Sequence, residues 1–346
     1  MTNDVPAFPA VFNELASPGG ISPATVRRVF DALFAGSLTP AQIGGFLVGL
    51  RLAGDSAPLI QAAVEAMRAA MTPVKHDLPK VLDTCGTGGD GSGTLNLSTG
   101  AALIAAASGV HVAKHGNRAA SSRSGSADVF EALGIPLDVP PALQGEVLRE
   151  AKIAFLFAQA HHPGMKHAMP IRRELGIRTL FNCLGPLSNP ASATHQLIGA
   201  YDDAVRPLIA SALARLGSVR VWVVRSTDGM DEVSPFAPTR VSEVSEGKVR
   251  EFEVAPEDFG LPRSPKGAID GGDVAYNTEV LATVLAGKPH VSRDAFVLNA
   301  AAALVVADGL EPRKAAERAR EVLETGAALG VLEAFRKATQ ARRKAP

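Results

Sequence analysis

The glycine-rich run from Gly86 to Gly93 constrains the fold of this 346-residue chain most strongly, because of what lies on either side of it. A short apolar run from Lys80 to Cys85 precedes the glycines, and a helical stretch near Ser98 to Ser108 follows them. A second strand-like run comes next, at His111 to Lys114. Alternation of short strands and helices is typical of a parallel sheet with crossover helices. The sequence therefore predicts an α/β fold with a mainly parallel central sheet.

Residues 1–72 have a different pattern, which predicts a small all-helical unit. Ser22 followed by Pro23 is typical of a helix start, and apolar residues then recur at helical spacing up to Phe34. Thr39, with Gln42 three residues later, has the form of a capping box. A third helix is predicted from residue 56 towards residue 71.

After the glycine-rich region, further elements are expected in this order: strands at Ile153 to Phe157, Gln196 to Ala200 and Val219 to Val224, a hairpin at Arg240 to Val254, and helices from Asn277 onwards.

Charge and cysteine content limit the possible functions. The formal net charge is zero, so the protein has no general attraction to nucleic acid or to an anionic membrane, and any phosphate site must be local. Two cysteines, Cys85 and Cys183, are too few for a disulfide framework and fit buried thiols in a reducing compartment. The chain has neither a secretory signal pattern nor an apolar run of roughly 20 residues. We therefore expect a cytoplasmic protein without nucleic-acid or membrane partners.

The segment Gly86 to Thr94 predicts a phosphate-binding loop at the end of a strand. Glycines let backbone N–H groups approach an anion closely, and Ser or Thr hydroxyls add donors. Asn96, Ser98 and Thr99 then lie at a helix start, where free N–H groups also favour phosphate. Gly86, Gly88 and Gly91 fit a dinucleotide-binding pattern, but several residues precede the helix and no acidic residue follows at the expected spacing. The segment does not match a P-loop either, because it lacks the Gly-Lys-Ser/Thr ending of that motif. A plain surface loop stays open as an alternative.

A second polar segment runs from Lys114 to Arg118 and from Ser121 to Ser126, after another predicted strand. Each cation alone could be a solvated surface charge, and Asp128 with the nearby serines could cap a helix. Since both segments follow strands of one sheet, a shared anion site is the stronger interpretation.

Acidic residues follow the predicted strand Val219 to Val224, in the run Asp228 to Glu232. Carboxylates at this position can lie in a solvated turn or bind a hard cation. Because magnesium usually takes one or two carboxylates together with substrate phosphates, a diphosphate ligand would favour the metal interpretation.

The stretch around residues 161–173 carries two further candidate features. His161, His162 and His167 lack the H-E-x-x-H arrangement and the cysteine partners of a zinc site. Arg172 and Arg173 open a predicted helical turn, and either guanidinium could bind a substrate carboxylate or form a surface ion pair with a residue such as Glu174.

Several spaced motifs together resemble the anthranilate phosphoribosyltransferase family. They are GTGGD from Gly86, NLST from Asn96, KHGNR from Lys114, SSRSGSAD from Ser121, RRELGIRTLFNCLGPLSNP from Arg172 and DGMDE from Asp228. The resemblance spans nearly the whole chain. It implies transfer of the 5-phosphoribosyl group from 5-phosphoribosyl 1-diphosphate to the amine of anthranilate, with release of diphosphate, in tryptophan biosynthesis.

The resemblance also implies an architecture and a set of site residues. We expect a homodimer in which residues 165–190 complete the helical domain and residues 73–164 and 191–346 form the α/β domain, with the active site between the two domains. The residues implied for phosphoribosyl diphosphate are Gly86, Gly89, Asp90, Thr94, Asn96, Leu97, Ser98, Thr99, Lys114, His115, Gly116, Asn117, Arg118, Ala119, Ala120, Ser121, Ser122 and Ser126. Those implied for anthranilate are Gly86, Asn117 and Arg172, and those for Mg²⁺, with two ions expected, are Ser98, Asp231 and Glu232. No covalent nucleophile is expected.

Two other functions are compatible with related architectures. A pyrimidine nucleoside phosphorylase would use free phosphate, and the Asp231–Glu232 pair argues against it. A non-enzymatic nucleic-acid-binding relative would carry a basic face and would have lost the acidic pair, whereas this chain is neutral overall and keeps the pair.

Overall fold

The computed structural model describes residues 5–119 and 123–343. It contains an N-terminal group of helices and a larger α/β part built on one sheet. The α-helices of the described residues are α1 (Phe8–Ala16), α2 (Pro23–Phe34), α3 (Pro40–Ala53), α4 (Ala57–Ala70), α5 (Leu97–Ala107), α6 (Ser126–Ala132), α7 (Gln144–Ala151), α8 (Ala158–His161), α9 (Met169–Leu175), α10 (Phe181–Leu187), α11 (Arg206–Arg215), α12 (Val274–Leu285), α13 (Arg293–Asp308), α14 (Pro312–Glu324) and α15 (Ala327–Gln340).

The sheet has seven strands in the order β3-β2-β1-β4-β5-β6-β7. Its strands are β1 (Leu82–Asp83), β2 (Val112–Gly116), β3 (Ile153–Phe157), β4 (His195–Gly199), β5 (Arg220–Ser226), β6 (Thr239–Ser245) and β7 (Lys248–Val254). The first five strands pair in parallel, and β6 and β7 form an antiparallel hairpin at one edge. The expected α/β fold with a mainly parallel sheet is therefore confirmed.

Local signals explain where the N-terminal helices begin. The Ser22 hydroxyl accepts a hydrogen bond from the Thr25 N–H at 3.2 Å, directly before α2. At the start of α3 both bonds of the Thr39–Gln42 capping box form, at 3.2 and 2.9 Å. Pro lies in the first turn of all four N-terminal helices, where its missing N–H costs nothing. The three helices predicted in this region are confirmed.

Some predicted boundaries differ from the structure. The run from Lys80 to Cys85 forms only the two-residue strand β1, because within it only Leu82 and Asp83 pair with neighbouring strands. The prediction that Arg172 and Arg173 open a helical turn is wrong, since α9 begins three residues earlier. Pro170 lies in its first turn and both arginines lie in its last, where Gly176 at φ 61° ends the helix.

Alternating side chains of the sheet separate two apolar cores. Leu197 and Trp222 pack with α5 and α13 on one face. Ile198 and Val223 pack on the other face with α11 and the N-terminal helices, together with α10. The helical unit therefore shares its core with the sheet, and its α9 and α10 contacts agree with an extension into residues 165–190, although the exact domain division stays a prediction.

No single helix of the described residues is long and apolar enough to cross a bilayer, although α13 and α14, bent by 117°, meet that test as a pair.

Candidate active site

The loops that follow β1, β2, β4 and β5 meet at one edge of the sheet, because parallel strands end on the same side. The loop after β1 is fastened to the end of β4 by two bonds. The Thr87 N–H donates to the Gly199 carbonyl at 2.8 Å, and the Tyr201 N–H donates to the Thr87 hydroxyl at 2.9 Å. The glycine-rich loop is thus held against its neighbour on the sheet, at the position where α/β proteins bind ligands.

Glycine is favoured in this loop for two different reasons. Gly88, Gly89, Gly91 and Gly93 have φ between 63° and 82°, a backbone conformation that other residues adopt only with strain. At Gly86 the reason is space, since a Cβ there would lie 3.3 Å from the Gly199 carbonyl oxygen and 3.5 Å from an Asp231 carboxylate oxygen. The loop backbone can therefore approach both an anion and the acidic segment after β5.

Lys114 brings a positive charge beneath this loop. Its side chain, in the middle of β2, is only 2% exposed. The ammonium donates to the Thr84 carbonyl at 3.0 Å and to the Ser98 hydroxyl at 3.2 Å. These bonds connect the middle of β2 to the residue after β1 and to the first turn of α5. Since its hydrogen bonds go to neutral oxygens, this ammonium is available to attract an anionic ligand or a nearby carboxylate.

Three carboxylates face the same place from two loops. Asp90 accepts from the Asp231 N–H at 3.3 Å. Burial, with repulsion from Asp90, raises the pKa of Asp231 to about 7. Burial, with repulsion from Asp231, raises the pKa of Glu232 to about 8, although Lys114 opposes this shift. Among the described residues, none of the three forms an ion pair within 4.0 Å. Because burial and mutual repulsion disfavour their ionised forms, Asp231 and Glu232 do not both carry a full negative charge at pH 7 unless a cation lies nearby.

This donor set fits a hard divalent cation. A bound cation would stabilise the ionised forms of Asp231 and Glu232, and carboxylate and hydroxyl oxygens are the ligands magnesium prefers. Ser98 lies next to this pair, since its backbone N–H is close enough to lower the pKa of Glu232. In the described part of the chain no group of three or more acidic, His or Cys side chains is arranged to enclose a metal by itself. Magnesium normally completes its shell with water and substrate phosphate.

The first turn of α5 divides the predicted residues into two groups. Leu97 and Thr99 are buried, so their side chains belong to the core and not to the cleft. Ser98 and Asn96 are partly exposed, as is Thr94, which pairs with Asp270 in an isolated bridge. Direct contact with phosphoribosyl diphosphate stays a prediction for all five residues, and for Leu97, whose side chain is apolar, only backbone groups could bind a phosphate.

The loop after β2 closes the other side of the site. Gly116 ends the strand and Asn117 follows it, and the Ser126 hydroxyl donates to the Asn117 carbonyl at 3.4 Å. The predicted anion contact of Arg118 has a competitor, because its guanidinium forms ion pairs with Asp128 and Glu131, both at 2.9 Å. Ala119 donates its N–H to Asp128 at 3.1 Å. The predicted residues Ala120, Ser121 and Ser122 lie outside the described residues.

Arg172 is the stronger candidate of the two arginines. Its guanidinium is half-buried and lies 5.0 Å from the centre of the Phe181 ring. Burial lowers its pKa, yet among the described residues it forms no ion pair, and the alternative pairing with Glu174 does not occur. Arg173 is exposed to solvent. A half-buried, unpaired guanidinium is suited to a carboxylate ligand.

A histidine pair lies behind the loop after β2. His115 Nδ1–H donates to the Gly185 carbonyl at 3.0 Å, so its Nε2 can accept from His162 Nε2 at 3.2 Å. Burial lowers the pKa of His115 to about 3 and that of His162 to about 4, and both rings are neutral at pH 7. His161 bonds instead to the Thr72 carbonyl at 2.9 Å. His167 packs against Gly36, so the histidines of this stretch have separate partners.

Sequence reasoning missed several residues that shape the site. Arg178 donates to the Gly89 carbonyl and lies 4.7 Å from the centre of the Tyr201 ring, so it supports the glycine-rich loop from outside. Asp83, fully buried, accepts from the His115 N–H at 3.1 Å and from the Asn189 amide at 2.7 Å. Asp83 directly precedes the loop and Arg178 lies in the run from Arg172, but neither has a local pattern that reveals its partner.

Comparison with known proteins agrees with this geometry. Residues 78–329 match the model described as "Glycosyl transferase family, a/b domain", and residues 10–71 match "Glycosyl transferase family, helical bundle domain". An anthranilate phosphoribosyltransferase of Symbiobacterium thermophilum is 46% identical over 95% of this chain and 97% of its own length. A protein of the same name from Rhodopseudomonas palustris strain HaA2 is 45% identical over 97% of this chain and 96% of its own.

Solved structures give the same result. The anthranilate phosphoribosyltransferase of Thermus thermophilus has a TM-score of 0.86 and 42% identity, covering 92% of this chain and 96% of that one. The yeast enzyme in complex with PRPP and Mg has a TM-score of 0.89 and 29% identity, covering 96% and 98%. The yeast enzyme in complex with 4-fluoroanthranilate has a TM-score of 0.89 and 28% identity, covering 99% and 100%. The chain therefore belongs to the anthranilate phosphoribosyltransferase family.

Proposed function

We propose that this protein transfers the 5-phosphoribosyl group of 5-phosphoribosyl 1-diphosphate to the amine of anthranilate and releases diphosphate, the second step of tryptophan biosynthesis from chorismate. The observation that carries the proposal is the meeting of a glycine-rich loop, a buried lysine and a cluster of buried carboxyl groups at the carboxyl ends of the parallel strands. A phosphate cradle beside a cation site suits a diphosphate ester.

The phosphoribosyl diphosphate would lie on the two loops after β1 and β2. Backbone N–H groups of Gly86 and Gly89 and the first turn of α5 would bind its phosphates, and Lys114 would add a fixed positive charge from below. The C1–O bond to diphosphate breaks before the C1–N bond forms, through an oxocarbenium-like transition state. Because negative charge then develops on the leaving group, preorganised donors stabilise the transition state more than the ground state.

Ser98, Asp231 and Glu232 would hold Mg²⁺. The bound ion would neutralise part of the diphosphate charge. We expect two ions, because Asp90 adds a third carboxylate to the cluster and the substrate supplies further oxygens.

Anthranilate would bind with its carboxylate on Arg172 and its ring near Gly86 and Asn117. Its aromatic amine is neutral at pH 7, so it needs no strong general base, and the proton it loses on forming the C1–N bond can pass to solvent. Catalysis would then rest on holding two substrates in reacting geometry, an effect that can contribute about 7–11 kcal/mol.

We propose in addition that the protein is a cytoplasmic homodimer. The exposed apolar side chains Phe12 and Met169, on α1 and α9, support a subunit contact made by the helical unit. The free thiols of Cys85 and Cys183 fit a reducing compartment. Sedimentation at the monomer mass at micromolar concentration would refute the dimer.

Anthranilate fluorescence provides the test of the proposed reaction. We expect the emission to be consumed only when protein, Mg²⁺ and 5-phosphoribosyl 1-diphosphate are all present. Persistence of the signal in the complete mixture would refute the assignment. The same preparation should give no phosphorolysis of thymidine or uridine and no salt-sensitive DNA binding, which separates the proposal from the two alternative functions.

A further inference from the structure

Asn277, in the first turns of α12, has a side-chain amide with a partner on each side. The residue is 3% exposed. Its Oδ1 accepts from the Gly272 N–H at 2.8 Å, and its Nδ2 donates to Asn96 Oδ1 at 2.9 Å. If the amide were flipped, its Nδ2 would face the Gly272 N–H, which is also a donor, and its Oδ1 would face Asn96 Oδ1, which is also an acceptor. The amide of Asn277 therefore has one favourable orientation.

That orientation fixes the amide of Asn96 in turn. Asn96 Oδ1 also accepts from the Ser124 hydroxyl at 3.3 Å, while its Nδ2 donates to the Ser124 carbonyl at 3.1 Å. An amide nitrogen carries two hydrogens. Within residues 5–119 and 123–343 the second hydrogen of Asn96 has no protein acceptor. Asn96 thus offers one N–H, and no free carbonyl oxygen, at the start of α5.

The segment before α12 is bonded to the end of the glycine-rich loop. The Leu95 N–H donates to the Ile269 carbonyl and the Gly271 N–H to the Gly93 carbonyl, both at 2.9 Å. The approach is so close that a Cβ on Gly271 would lie 2.5 Å from the Thr94 carbonyl oxygen. Three segments therefore meet at Asn96: the end of the glycine-rich loop, the segment with Ser124 and the segment before α12. Asn277 connects the last of these, which is the most distant in sequence, to Asn96.

We infer that Asn277 is a positioning residue for phosphoribosyl diphosphate: it holds the Asn96 amide so that a free N–H, and not the carbonyl oxygen, is available to the phosphate oxygens. The inference rests on the proposed function and assigns a role to a residue outside all the motifs of the loops. The physical reason is electrostatic, because an N–H attracts a phosphate oxygen and a carbonyl oxygen repels it.

Asn277→Asp tests this role with little change in shape. The aspartate can still accept from the Gly272 N–H, but it places an acceptor against Asn96 Oδ1. Asn96 must then turn its amide, lose its bond to the Ser124 carbonyl and present its oxygen to the ligand. By calorimetry with Mg²⁺ and without anthranilate, we expect the Kd for 5-phosphoribosyl 1-diphosphate to rise about 10- to 100-fold. The anthranilate KM, at saturating phosphoribosyl diphosphate, should stay near the wild-type value.

A double-mutant cycle with Asn96→Ala separates this role from a general effect on folding or charge. In the Asn96→Ala background, Asn277→Asp should add no further loss of affinity, because its effect passes through Asn96. The exposed Glu279→Gln on the same helix should keep the wild-type Kd, and Asn277→Ala replaces the aspartate variant in the cycle if that variant does not fold. A full additional loss in the Asn96→Ala background, or an unchanged Kd in folded Asn277→Asp, would overturn the inference. A wild type that fails to bind the ligand would overturn the proposed function, and the inference with it.

Discussion

Asp231 is the residue whose charge matters most for the proposed metal site. Asp231→Asn keeps the side-chain shape but removes a carboxylate from the cluster with Asp90 and Glu232. We expect turnover to fall about 10²- to 10³-fold and the Mg²⁺ concentration at half-maximal activity to rise. Steady-state rates measured across a magnesium titration check both effects. Glu246→Gln, in the exposed turn between β6 and β7, serves as the control, and an unchanged magnesium profile in Asp231→Asn would remove Asp231 from the metal site.

Arg172 and Arg173 form a natural matched pair of variants. Arg172 is half-buried against Phe181, whereas its neighbour is exposed. We expect Arg172→Ala to raise the anthranilate KM with a smaller change in kcat, because the lost contact stabilises ground and transition states alike. Arg173→Ala should leave the anthranilate KM near its wild-type value. The opposite ranking of the two variants in initial-rate measurements would assign the acid-binding role to Arg173.

The buried pair His115 and His162 gives a prediction about pH. Their pKa values, about 3 and about 4, lie below the ordinary value of 6.5. Between pH 6.5 and 4 these two histidines therefore bind protons in the unfolded chain but not in the folded one, and their contribution to stability falls as the pH falls through this window. His162→Gln should reduce the drop in melting temperature between pH 7 and pH 4.5, whereas His290→Gln should not. Equal drops in wild type and His162→Gln would contradict this account.

At the scale of the elements, the end of β4 is pressed against the segment after β5. A Cβ on Gly199 would lie 1.6 Å from the Asp231 carbonyl oxygen, so backbone must move in Gly199→Ala. We expect this variant to lose about 1–3 kcal/mol of unfolding free energy and to bind Mg²⁺ more weakly. Denaturant unfolding and metal titration measure the two effects.

Gly330 in α15 is the matched control for this substitution. Apart from its chain neighbours and the backbone of its own helix, no heavy atom lies within 4 Å of the position that a Cβ would occupy there. Gly330→Ala should raise the unfolding free energy by about 0.5–1 kcal/mol, because alanine loses less backbone entropy in a helix. If both variants proved neutral, the close contact at Gly199 could not be the reason for glycine at that position.

The elements were predictable from sequence where the signal is local. Ser22 and Thr39 cap their helices as their spacing predicts, and the apolar run Ile153–Phe157 forms β3 at the predicted residues. The start of α9 was mispredicted, because Pro170 is a start signal that competes with the more conspicuous arginines. Helix starts and short strands thus depend on a few adjacent residues, which sequence reasoning can read.

At the scale of the whole molecule, the sequence did not predict which distant side chains form hydrogen bonds with each other. Asn277 and Asn96 are 181 positions apart, and Asn189 and Asp83 are 106 apart. Their pairing depends on the strand order, in which β1 lies between β2 and β4, and no local pattern encodes that order. The loop motifs identified the place of the site, whereas the residues that hold the loops became visible only in the folded chain.

The sheet supports both sides of the proposed cleft, the helical unit and the loops after the parallel strands. Its two faces contribute to separate apolar cores, and the helical unit shares one of them with β4 and β5. Arg172 on α9 and the carboxylates after β5 are therefore carried by elements that pack on a common support. This arrangement suits a reaction that depends on holding two substrates at the distance and orientation needed for reaction.

The most direct test of the central claim is the stoichiometry of the reaction. Phosphorus NMR and mass spectrometry of a complete mixture should show one diphosphate released and one N-(5-phosphoribosyl)anthranilate formed for each anthranilate consumed, and neither product when Mg²⁺ is omitted. Diphosphate release without the anthranilate adduct would show hydrolysis instead of transfer and would contradict the account.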